Sequence, residues 1–178
     1  RYRGLALRDA GRDADSNAAI RSAAAIASGQ RMHQPALTAR LLRSGASSAS
    51  ARGDVADAAS GYAASTDAFE QAFPRTRPVA ATLFLEAAEL QRQGDNAAAL
   101  NDCRRGAAML REIKEGIAPD LVEPCLAVYA AAATGNDNQR VLSEMFETAQ
   151  LAQLSVTSRQ IAESAARLGE ASRDPRVG

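Results

Sequence analysis

Two stretches decide the fold: SARGDVADAASGY at residues 50–62 and QRQGDNAAALNDC at residues 91–103. In each, a glycine and an aspartate, Gly53-Asp54 and Gly94-Asp95, stand between long alanine-rich segments that favour helix. The two pairs are 41 residues apart, and Gly135-Asn136 follows after another 41. A fainter echo, Gly11 with Asp13, lies 42 residues before Gly53. A helix that must reverse within about three residues commonly ends in a left-handed conformation, which glycine adopts without steric penalty. The Asp or Asn that follows is suited to cap the free N–H groups of the next helix. Gly53, Asp54, Gly94, Asp95, Gly135 and Asn136 therefore read as turns joining antiparallel helices. One turn per fixed period of this size predicts an all-α, right-handed superhelical solenoid of helical hairpins.

Outward from these turns, the hairpins fall at about 1–30, 36–73, 78–115 and 119–153. Asp13, Asp15 and Ser16 are candidate caps for a helix closing at Gly29. Pro35 opens the next helix, and Pro78 and Pro119, again 41 residues apart, sit where a first helical turn tolerates proline. Thr157 with Gln160 fits a capping box, so 157–178 reads as a capping helix and a polar linker. The chain starts at Arg1 rather than Met and stops at Gly178, which reads as a fragment without its true N-terminus, leaving bacterial cytoplasm and periplasm equally open.

Composition bounds the function. Alanine dominates an apolar share of 46%, aromatics are only 4% and Trp is absent, so close-packed helices are expected rather than a sheet. Lys+Arg and Asp+Glu are equal at 21 each, which argues against nucleic-acid binding, since that relies on concentrated positive charge. Lys114 is the only lysine; an arginine bias of this kind is the mark of a GC-rich genome, with phosphate recognition by arginine forks as the alternative. No apolar run reaches the roughly 20 residues of a membrane span.

Candidate chemistry is thin. The only histidine, His33, precedes the Gly53 turn, whereas Cys103 and Cys125 lie in later hairpins, so no Cys–His pair is expected. The cysteines fit no zinc or redox spacing and are expected as buried free thiols; a disulfide would imply an oxidising compartment. Asp54 and Asp57, and Asp9, Asp13 and Asp15, are explained by helix capping rather than metal binding. Glu86 with Glu89 and Glu112 with Glu115 read as solvated faces, with no buried cleft to shift a pKa. No phosphate loop, cofactor or metal motif is present, and the fragment is not expected to be an enzyme.

The quoted stretches resemble the centre of tetratricopeptide repeats (TPR), with Ala58 and Ala99 at the small position and Tyr62 at the bulky one. Cys103 stands where that pattern has an aromatic, and in the last repeat one added turn residue brings Val141 and Met145 into register. The period exceeds that family's 34, so the repeats are TPR-like, with longer helices. Residues 144–178 resemble the segment upstream of the caspase-like peptidase domain in bacterial CHAT proteins, through Phe146, Glu147, Ala149, Gln150 and Ala165 to Leu168. The resemblance implies that 1–156 is a TPR-like protein–protein interaction scaffold, N-terminal to a CHAT cysteine-peptidase domain that would supply the catalytic residues beyond Gly178. The implied partner is a protein or peptide, including the chain's own C-terminal domain in cis. In such stacks the first helix of each pair lines the concave face, which selects Arg40, Arg43, Ser47, Ser50, Phe84, Gln91 and Tyr129 as a candidate partner groove. Arg40 and Arg43 would pair with carboxylates, with Phe84 and Tyr129 as anchors; core packing of the two aromatics and solvation of the arginines are the plainer readings. An alternative function is a small-ligand-binding or sensor domain, with an apolar pocket around Phe84 and Tyr129.

Overall fold

The computed structural model describes residues 4, 6–7, 10–29, 35–133 and 138–152. Gly4, Ala6 and Leu7 are helical, and six helices follow: α1 (Asp13–Gly29), α2 (Pro35–Ala51), α3 (Val55–Ala72), α4 (Arg77–Arg92), α5 (Asn96–Ile113) and α6 (Pro119–Ala132). Residues 138–152 form a last helix, α7. No strand occurs among the described residues. Each helix from α1 to α5 packs on the next in sequence, and α4 also packs on α6.

The reversals share one backbone device. Gly11, Gly53 and Gly94 have φ of 70°, 81° and 86°. In each case the following N–H donates to the carbonyl five residues back: Arg12 to Leu7 (2.8 Å), Asp54 to Ala49 (3.0 Å) and Asp95 to Leu90 (2.9 Å). This is the Schellman closure, which satisfies carbonyls that a helix end leaves unpaired. Lys114, with φ 56°, closes α5 the same way through Glu115 N–H to Leu110 O (3.0 Å), without the glycine that the conformation favours. The capping expectation holds at Asp95, whose carboxylate accepts from Ala98 N–H at 3.0 Å. Asp54 occupies the cap position but makes no such bond, because Arg52 holds its Oδ2 at 2.7 and 2.9 Å. The expected turn at Gly135 and Asn136, His33, and the 157–178 segment lie outside the described residues.

Packing follows the small residues. Ala46 and Ala58 pack with Tyr62 between α2 and α3. Their counterparts, counted from the turn glycines, are Ala87, Ala99 and Cys103 in α4 and α5, and all six are buried. Phe69, Leu110 and Leu151, successively 41 residues apart, are buried as well. A core of α4, α5, α6 and α7 side chains includes Phe84, Leu110, Val122, Val128, Tyr129 and Leu151. The α5–α6 connection is tied to the end of α7 by Ile117 N–H to Leu151 O (3.1 Å).

The expectation of free thiols is overturned. Cys103 on α5 and Cys125 on α6 form a disulfide, fully buried, with Cα atoms 5.6 Å apart. Helix α6 brings the second sulfur back to the depth of the first.

Candidate interaction surface

Helix α2 and the end of α4 bring most of the polar groove candidates together. Arg40 is exposed on α2. One turn on, the Arg43 guanidinium lies 5.3 Å from the centroid of the Phe69 ring, a cation–π contact. Ser47 bonds the Tyr62 hydroxyl, whose pKa is raised chiefly by burial. The next turn places Ser50, whose Oγ donates to Glu89 Oε1 of α4 at 2.5 Å. Arg92 Nη1 completes the group, donating to Glu89 Oε2 at 2.8 Å and Oε1 at 3.1 Å. Gln91 is half-buried nearby in sequence, and Gln93 Nε2 reaches across to Val55 O at 3.1 Å.

Sequence reasoning missed Glu89 and Arg92 here. Glu89 is no member of a solvated face: its side chain is 5% exposed and carries the α2–α4 contact. A signal was present, because the position five before the turn glycine is polar in both hairpins, Ser48 and Glu89, and buried in both.

The aromatic anchors do not belong to this surface. Phe84 is 0% and Tyr129 1% exposed, so neither can meet a partner in this form. Phe84 is accommodated because α5 has Gly106 opposite it; a Cβ there would lie 2.6 Å from the Phe84 ring. The Tyr129 hydroxyl bonds Thr148, and burial raises its pKa. Filling the α4–α7 core took precedence over lining a groove.

A second polar cluster lies where α3, α4 and α5 meet. Thr66 Oγ1 donates to Glu86 Oε2 at 3.1 Å. Burial, then the negative charge of Asp102, push the Glu86 pKa up to about 7. Burial also raises the Asp102 pKa, against the pull of Arg105. Glu86 therefore departs from the expected solvated, unshifted carboxylate.

Between α1, α2 and α3 the corresponding space is open. A hollow of about 300 Å³ is lined by Ile20, Leu41, Leu42, Gly45, Gly61 and Ala64 among others, with Arg21, Arg52 and Asp57 also in its wall. The arginines elsewhere meet carboxylates rather than forming a phosphate cradle: Arg104 to Glu144 (2.8 Å), Arg105 to Glu70 (3.1 Å), Arg75 to Glu112 and Arg111 to Glu147. Among the described residues there is no His/Cys/Asp/Glu grouping fit for a metal, and no helix long and apolar enough to cross a membrane. Both sulfurs are consumed in the disulfide, so neither is a nucleophile in this form.

No protein-family model matches the chain, and no curated protein matches it significantly.

Proposed function

We propose that this chain is a non-catalytic scaffold, a right-handed solenoid of TPR-like hairpins that receives a protein or peptide on the face built by α2 and α4. The observation that carries the reading is the repeated turn: Gly11, Gly53 and Gly94 close their helices by one hydrogen-bond pattern, at spacings of 42 and 41 residues. Equal burial at corresponding positions of the α2–α3 and α4–α5 hairpins supports the stacking. A stack of this kind presents a long, pre-formed surface. Its occupant would meet Arg40, Arg43, Ser47, Ser50 and Gln91, joined by Arg92, and so carry carboxylates. By resemblance the module precedes a CHAT peptidase domain, which it recruits substrates for or restrains in cis; a His-Gly and a later Cys encoded downstream would support that parentage. The disulfide supports folding in an oxidising compartment.

The test is peptide display against the module, followed by calorimetry of the selected sequence. Binding should weaken at least about tenfold in Arg40→Glu, at an unchanged melting temperature, given the strength of charge-assisted hydrogen bonds. Selection of no peptide, or affinity indifferent to this substitution, overturns the reading.

A second reading, a small-ligand-binding domain, is favoured by the α1–α2–α3 hollow rather than by a pocket at Phe84 and Tyr129. Gly45 sits inside a helix, where glycine costs about 1 kcal/mol relative to alanine. Its added Cβ would meet only Ile20, at 3.6 Å, so close packing does not demand it. A ligand that raises the melting temperature of the parent but not of Gly45→Leu would establish this reading.

A further inference from the structure

The joint between α3 and the α4–α5 hairpin carries a charge imbalance that helix packing does not require. Glu86 stands half-buried on α4. From α3 it meets Thr66, which donates to it at 3.1 Å, and the negative field of Asp67. From α5 it meets Asp102, itself buried, and Arg105. Arg105 is already divided, donating to Asp102 at 3.3 Å and to Glu70 of α3 at 3.1 Å. Three carboxylates, Glu86, Asp102 and Glu70, thus share one guanidinium, with the negative charge of Asp67 beside them. The corresponding positions of the preceding hairpin carry no charge and border the open hollow instead. Eight residues before, eight after and eleven after the turn glycine stand Gly45, Gly61 and Ala64 there, against Glu86, Asp102 and Arg105 here.

We propose that Glu86, with Thr66, Asp102 and Arg105, is a proton-operated clamp: the joint between α3 and the α4–α5 hairpin holds tightly when Glu86 carries a proton and loosens when it does not. The neutral carboxylic acid loses its repulsion with Asp102 and Asp67, and leaves Arg105 to Asp102 and Glu70. Burial also opposes the charged form. The folded pKa of about 7 lies above that of an unfolded glutamate. The stabilisation is therefore fully present below the ordinary carboxylate range, and is lost as pH rises through about 7. Its readout is stability, so it stands or falls separately from partner binding.

The experiment is urea unfolding of the oxidised protein from pH 5.5 to 8.5. The unfolding constant should rise on the order of tenfold across that window. In Glu86→Gln, which is neutral throughout, most of that rise should vanish, leaving the variant close to the acid-side parent. A parent profile flat across the window, or a Glu86→Gln slope equal to the parent's, overturns the proposal. Should Glu86→Gln fail to fold, Asp102→Asn decides. Without its neighbour's charge, Glu86 gives up its proton at lower pH, so the loss of stability must move to lower pH; an unmoved profile overturns the proposal.

Discussion

Lys114 closes α5 in the left-handed region, where a Cβ costs roughly 1–2 kcal/mol in the extreme and glycine nothing. The same closure at α2 and α4 uses Gly53 and Gly94. Lys114→Gly should therefore stabilise the fold by about 0.5–1 kcal/mol in chemical denaturation, offset in part by the greater freedom of the unfolded chain. Gly94→Ala should do the reverse, costing about 1 kcal/mol, although nothing lies within 4 Å of its missing side chain. Gly106→Ala fails for a different reason. Its Cβ would lie 2.6 Å from the Phe84 ring and 3.2 Å from Ala80 O, and overpacking of this kind costs about 1–3 kcal/mol. The turn glycines were legible in the sequence because backbone geometry is local. Gly106 was not, since its role depends on a ring brought from another helix.

At the scale of helices, the boundaries follow the punctuation closely. Pro35, Pro78 and Pro119 fall at or beside the first residues of α2, α4 and α6, and Gly53 and Gly94 follow the ends of α2 and α4. Side-chain partnership across helices was less accessible. The small position Ala99 and its counterpart Ala58 are both buried, whereas Glu86 and Glu89, three residues apart on one helix, serve two different contacts. Helical spacing alone cannot tell which neighbour each one meets. The disulfide stood only as the alternative to free thiols for a similar reason: its 22-residue separation matches no motif, and the pairing depends on the depth at which each sulfur lies once α5 and α6 are laid together. Chain-entropy arguments for a loop of that length give about 3 kcal/mol. Replacing both Cys103 and Cys125 by Ala should lower stability by about that amount, and excess reductant should reproduce the loss in the parent but not in the double variant.

For the whole molecule, exposed ion pairs among the described residues tie neighbouring segments together, including Arg75–Glu112, Arg77–Glu115 and Arg111–Glu147. Exposed pairs are each worth between zero and about 1 kcal/mol and are screened by salt. Raising sodium chloride to about 1 M, where the Debye length is near 3 Å, should therefore shift the unfolding midpoint only slightly if the small-residue core dominates stability. A large drop in midpoint would transfer that role to the pairs. That successive helices pack on one another could be anticipated from the regular turns, whereas the burial of the two aromatics could not. Phe84 and Tyr129 carry the right chemistry for anchors, yet the core claimed both.

The Cys103–Cys125 link also changes how the chain answers a mechanical load. Pulled from its two ends in an optical trap, the oxidised polypeptide cannot pay out the 22-residue loop that the sulfurs enclose. At about 3.3–3.6 Å per extended residue, the reduced chain should come out about 70 Å longer at full extension. That hidden slack is available only where thiols are kept apart.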